Sequence, residues 1–227
     1  MRVAVHQPNY APWCGYFAKM FASDAFVFLD DAQLPQGRSY VSRVKIARGQ
    51  DADQWLTVPV RKGAKPIREV ELADEPWAEK HRRTLQHEYA KTPRLDEVLE
   101  LVDPLYDAPG NSLAELNMRL IVAVAEYLGY EGEFHRSSDH PADLAADERI
   151  AQLVSAVGGD VYVSGAGGEN YQSEAVYADR GVELEVRVYE PVPYERSGWT
   201  WVGGLSILDA LCHLGRGARD ALRYSGS

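Results

Sequence analysis

Apolar residues fall in short continuous runs near the N-terminus and again near residue 160, with helical spacing between and after them. Val3 to Val5 reads as a buried strand. A polar cluster held by Pro8 and Pro12 follows and bars a helix from running through it. Tyr16, Phe17, Met20 and Phe21 then recur at helical spacing up to Ser23-Asp24, and Ala25 to Leu29 is a second apolar strand. Farther on, Val41 to Ala47 and Trp55 to Val60 read as strands around a turn at 48–51. Ile67 to Leu72 alternates like an exposed edge strand. Helices are expected from Pro76 through His81, Leu85 and Tyr89, from Leu95 to Val102, and from Ser112 to Leu128. The last has Ser112 and Glu115 in capping-box spacing and Gly129 as its stop.

The second half returns to alternation. Glu133 to Arg136 reads as a short strand, about 143–157 as a helix, and Gly158-Gly159-Asp160 as a turn. Val161 to Val163 is a buried strand that opens into the glycine-rich stretch Ser164 to Tyr171. Glu174 to Asp179 reads as a helix and Val182 to Tyr189 as a strand. A loop rich in Pro, Tyr and Trp precedes a closing helix from Ser206. Strands separated by helices predict one α/β domain over 1–227, a Rossmann-like parallel or mixed sheet flanked by helices, with a helical cap or insertion at about 76–128.

At 227 residues with 45% hydrophobic content, the chain is long enough for such a core. The formal charge of −10 argues against nucleic acid and anionic membrane surfaces as partners. No apolar run approaches the ~20 residues of a membrane span. Met1-Arg2-Val3 enters the first strand with no signal-peptide pattern, so a cytoplasmic location is expected. Cys14 and Cys212 make neither a disulfide framework nor a zinc site.

Ligands of open α/β sheets bind beyond the carboxyl ends of the strands. That edge collects His6, Gln7, Asn9, Asp30, Asp31 and Gln33, a candidate active site. His6 has the side chain suited to proton transfer near neutrality; the plainer reading is a histidine bonding its own loop. Asp30 and Asp31 are adjacent, so their side chains diverge. Asp31, farther out of the sheet, is the favoured partner of His6. Three converging metal ligands are not evident, so no metal and no cofactor is expected. Ser164, Gly165 and Gly167 place backbone N–H groups after a strand, where they suit an anion or a developing oxyanion. Cys14, near a helix start and close to His6, reads either as a thiol nucleophile or as a small residue packing under Trp13. Arg43 and Lys45 share one face of a strand and read as a clamp for an anionic substrate or as solvated charges.

The run His6-Gln7-Pro8-Asn9-Tyr10-x-Pro12-Trp13-x-Gly15-Tyr16-Phe17, then Phe28-Leu29-Asp30-Asp31-x-Gln33, resembles the WbqC-like family. Thr57-Val58-Pro59-Val60, Ser164-Gly165-x-Gly167 with Tyr171, and Leu205-Ser206-Ile207-Leu208-Asp209 fit the same pattern in the same order, so the resemblance spans nearly the whole chain. Ala11, Cys14 and the stretch Trp199 to Gly204 depart from it. Family members resembling this chain occur in bacterial O-antigen, other polysaccharide and secondary-metabolite gene clusters. The resemblance implies a transferase that places glycine or another aminoacyl group on an amino sugar or similar amine.

The expected chemistry is therefore acyl or aminoacyl transfer to a small-molecule amine, with an acyl or aminoacyl carrier protein as a candidate donor. His6 would take the amine proton, Asp31 would orient His6, and Cys14 is the candidate acyl acceptor. Gln7, Asn9, Tyr10, Asp30, Gln33, Arg43, Ser164, Gly165, Gly167 and Tyr171 are the candidate substrate-binding residues. Two alternatives stand beside this: a nucleotidyltransferase-like enzyme with a histidine phosphate site, and a non-catalytic module that carries a ligand.

Overall fold

The computed structural model describes residues 1–37, 39–61, 63–165 and 172–222. Among them, five strands form a parallel sheet: β1 (Arg2–His6), β2 (Ala25–Phe28), β5 (Glu133–Arg136), β6 (Val161–Gly165) and β7 (Glu183–Arg187). Their order is β5-β2-β1-β6-β7, with β1 in the centre. A separate hairpin pairs β3 (Arg43–Arg48) with β4 (Ala52–Thr57) in antiparallel register.

Side-chain alternation sends each central strand's residues to two different cores. Ala4, Phe26, Phe28 and Val163 join the larger one, and Val3, Val5, Ala25, Val27 and Tyr162 the smaller. The larger core contains residues of α1 (Cys14–Phe21), the hairpin, α2 (Trp77–Glu88), α3 (Leu95–Asp107), α4 (Leu113–Tyr127) and α7 (Ile207–Leu214). The smaller core packs α5 (Ala146–Ala156) and α6 (Glu174–Ala178) against the opposite face. A sheet covered on both faces accounts for the continuous apolar runs of β1 and β2.

Local signals explain the helix starts. Ser112 Oγ accepts the Glu115 N–H at 3.3 Å, and Ser206 Oγ accepts the Leu208 N–H at 3.2 Å. Two elements differ from expectation. Ile67 to Leu72 is not an edge strand: Ile67–Glu69 forms a 3-10 turn. The N–H groups of Ile67 and Arg68 bond the carbonyls of Ala32 and Asp30, which takes the donors a ladder would use. The helix expected to end at Val102 runs through Pro104 to Asp107, burying Leu105 and Tyr106. The hairpin strands are also shifted, starting at Arg43 and Ala52 rather than at Val41 and Trp55.

Candidate functional site

β1 leaves through α1 to reach β2 on one side, whereas β6 leaves through α6 to reach β7 on the other. The carboxyl ends of β1 and β6 are therefore the topological switch point of the sheet, where a crevice is expected. The hydrogen-bond register shows it opening. β1 pairs with β6 only from Arg2 to Ala4, while its ladder with β2 continues to His6 and that of β6 with β7 to Gly165. A cleft of about 540 Å³ occupies the gap, lined by Val5, His6 and Gln7 from β1 and its loop, and by Ser164 and Gly165 from β6. Gly15, Tyr16 and Lys19 of α1, Gln172, Arg187 and Tyr189 complete much of its wall.

His6 packs against Tyr16, with ring centroids 4.6 Å apart, and edge-on to Trp13 at 6.1 Å. Its Nδ1 lies 3.2 Å from the Gln7 carbonyl. A carbonyl only accepts, so Nδ1 carries the proton and Nε2 keeps its lone pair. Burial, then the Lys19 charge, lowers the imidazole pKa to about 3 against the pull of the Gln7 carbonyl. His6 is therefore neutral near pH 7.

Lys19 is 7% exposed, and its ammonium donates to the Val5 carbonyl at 2.8 Å. That carbonyl lies just past the last β1–β6 pair, so the lysine supplies the donor that the parted strand no longer offers. Ser164 Oγ donates to Gln172 Oε1 at 2.7 Å. Gly167 and Tyr171, and with them most of the glycine-rich stretch, lie outside the described residues.

Among the described residues neither Asp30 nor Asp31 hydrogen-bonds His6. Asp30 is 2% exposed and accepts the N–H and O–H of Ser138, at 3.0 and 2.8 Å, with Ser137 Oγ 3.0 Å away. Asp31 pairs with Arg149 at 2.5 Å and lies 2.5 Å from Ser137 Oγ. Both carboxylates tie the end of β2 to the turn after β5, on the side of β1 away from the switch point. The expected orienting role of Asp31 is corrected accordingly.

Cys14 does not line this cleft. It borders a second, aromatic cavity of about 320 Å³ with Tyr40, Tyr194, Trp201 and Leu205. Burial, reinforced by the Asp209 charge, pushes its thiol up to about 12. A thiol so held is a poor nucleophile, so the packing reading of Cys14 replaces the nucleophilic one. Trp13 and Tyr189 line both cavities and form the wall between them.

The other expected binding residues are scattered. Tyr10 is fully buried and its hydroxyl bonds His81 Nδ1 at 2.9 Å and the Tyr106 hydroxyl at 2.8 Å. Asn9 is 4% exposed and lines neither cavity. Gln33 is exposed and forms an isolated bridge with Pro66. Arg43 stacks over Trp55 at 4.1 Å. Among the described residues no three His, Cys, Asp or Glu side chains converge as a metal-binding group.

Lys19, Gln172 and Arg187 were not anticipated. Lys19 alone left a sequence signal: a cation in an apolar helical run, three residues after Tyr16 and four after Gly15, hence on their face.

The late motif has a structural basis. Ser206 Oγ donates to the Ala11 carbonyl at 2.6 Å, and the Ile207 N–H to the Pro12 carbonyl at 2.8 Å. The start of α7 thus anchors the loop that presents Trp13, with Ala11 in a left-handed conformation, φ 41°.

These features define an α/β protein with a parallel sheet and a polar cleft at its switch point. The chain belongs to the WbqC-like protein family, whose model matches residues 7–221. It is similar to "Uncharacterized protein Rv1507c" of Mycobacterium tuberculosis (strain ATCC 25618 / H37Rv), 34% identical over 232 residues and covering 98% of each chain. No solved structure gives a significant match. Among the described residues no helix is long and apolar enough to cross a membrane.

Proposed function

We propose that the chain is a transferase that forms an amide by moving an acyl or aminoacyl group onto an amino sugar or other small amine. The observation carrying this reading is the orientation of His6: Nδ1 is occupied by the Gln7 carbonyl, and Nε2 is left as the acceptor beside a cleft large enough for a small substrate. An amine entering the cleft attacks the carbonyl carbon of a carrier thioester. The N–C bond forms, His6 Nε2 takes the amine proton, the C–S bond breaks, and the departing thiolate receives that proton.

His6 does this without a carboxylate behind it, because Asp31 is committed to Arg149. With a pKa near 3 it is a weak base, effective when the proton leaves an already acidic, developing ammonium. Ser164 and Gly165 line the cleft from β6, with the Ser164 hydroxyl donating to Gln172 Oε1.

The test is to incubate intact protein with charged acyl or aminoacyl carrier and a panel of amino sugars and amines, following amide product by mass spectrometry. His6→Gln should lose roughly 10²-fold or more in rate. Absence of product with every donor–acceptor pair, or unchanged turnover in the variant, ends this reading.

A second reading, nucleotidyl transfer, gains support from the two cations of the cleft, Lys19 and Arg187, which suit phosphates. Incorporation of a nucleoside monophosphate from a triphosphate and magnesium, without amide product, would favour it.

A further inference from the structure

We propose that the gap between β1 and β6 is a binding site for an anionic head group, a phosphate or a carboxylate, held by the Lys19 ammonium. The proposal rests on the proposed function only in assigning that head group to a reacting substrate.

Lys19 is more than nine-tenths buried, yet among the described residues no carboxylate pairs with it. Of its three N–H donors, one is used by the Val5 carbonyl. The Tyr162 ring, 5.4 Å from Nζ, adds only a weak cation–π contact. A buried ammonium so lightly compensated is costly unless an anion joins it.

The surroundings point the same way. The chain carries 34 Asp and Glu against 24 Lys and Arg, yet no described carboxylate lines this cleft. Its charged lining residues among those described are Lys19 and Arg187, the latter with Nε turned to Glu185. Among the described residues this acidic protein keeps carboxylates out of the crevice and lines it with a buried cation, an arrangement suited to negative charge. Gln172 and Ser164 face the same space with neutral hydrogen-bonding groups.

An anion at Lys19 also acts on the neighbouring imidazole. Burial first and the Lys19 ammonium second hold His6 unprotonated, so neutralising the ammonium returns part of the basicity of Nε2. Binding of the anionic substrate and readiness of His6 are therefore coupled. The groups around that ring are Trp13 and Tyr16, the Gln7 carbonyl and Lys19.

The experiment titrates inorganic phosphate and, separately, acetate into the full chain at constant ionic strength set by chloride, following the His6 ring protons and Lys19 by NMR. The expected result is a saturable shift at both residues and a rise in the His6 titration midpoint. A response to phosphate alone assigns a phosphate head group, and one to acetate alone a carboxylate. Lys19→Met should weaken that binding by roughly tenfold or more. The proposal is overturned if neither ion gives a saturable shift in the wild-type protein, a result independent of whether the variant folds. It is overturned equally if folded Lys19→Met protein binds as tightly as wild type. Anion binding without amide formation would retain this site and remove the transferase reading; amide formation without anion binding would do the reverse.

Discussion

Arg196 and Asp209 form a two-pronged ion pair in which neither side chain is exposed. Arg196 Nε and Nη2 donate to the two carboxylate oxygens at 3.0 and 2.8 Å, and the Tyr194 and Tyr89 hydroxyls donate to the same oxygens at 2.6 and 3.1 Å. Asp209 lies in the first turn of α7, so the pair ties the aromatic loop that walls the second cavity to the helix that anchors Trp13. Removing one partner leaves the other charge buried and alone. Asp209→Ala is expected to cost roughly 3–5 kcal/mol, read as a lowered urea midpoint. A midpoint within error of wild type would refute this arrangement.

The pair between Asp31 and Arg149 is also structural. Asp31→Ala should lower stability by roughly 3 kcal/mol, since it strands a guanidinium that is 7% exposed. The NMR titration of His6 should stay where it is in that variant. Movement of the His6 midpoint would mean that the aspartate acts on the imidazole after all.

Cys14 should be inert. With its thiol near 12, the thiolate at pH 8 is roughly one part in ten thousand, and only 8% of the residue is exposed. Iodoacetamide should leave Cys14 unmodified in the native protein and label it in urea. Cys14→Ala should make amide product at close to the wild-type rate. Rapid native labelling, or a product-free variant that is folded, would restore the thiol as a nucleophile.

His81 makes stability depend on pH. Its Nε2 donates to the Thr57 carbonyl and its Nδ1 accepts from Tyr10, both at 2.9 Å, and burial lowers its pKa to about 4. The unfolded chain takes up a proton near pH 6.5 that the folded chain refuses until about pH 4. Stability is therefore fully present above pH 6.5 and is lost as pH falls toward 4. The contribution lost by pH 4.5 is about 2–3 kcal/mol. His6 adds a loss of the same sign, extending lower, to about pH 3. Unfolding free energies at pH 7.5 and 4.5 should differ less in His81→Gln than in wild type; equal differences would show that this histidine is not the sensor.

Much of the sheet was legible because β1, β2 and β6 are buried on both faces and so read as plain apolar runs. The capped helix from Ser112 was legible for the same reason that it is stable: a side-chain oxygen stands where the first N–H groups need one. Ile67 to Leu72 misled because six alternating residues satisfy a strand and a buried turn alike; the deciding factor was the capture of two N–H groups by carbonyls more than thirty residues away. At the site, His6 could be placed from its position at a strand end. Asp31 could not be excluded in that way, because its partner Arg149 comes from a distant helix. Lys19 was hidden within an apolar stripe, where a single cation passes for a solvated one.

Gly15 gives the two-chambered architecture a particular tolerance. A methyl group at this position would sit 2.6 Å from Tyr189 Cδ1 and 2.9 Å from Trp13 Nε1, the very side chains that partition the polar cleft from the aromatic one. Enlargement there would displace the partition as a unit and reshape both chambers at once. Drift at residue 15 therefore cannot reshape one cavity while sparing the other, and changes confined to one of them have to arise along its outer walls.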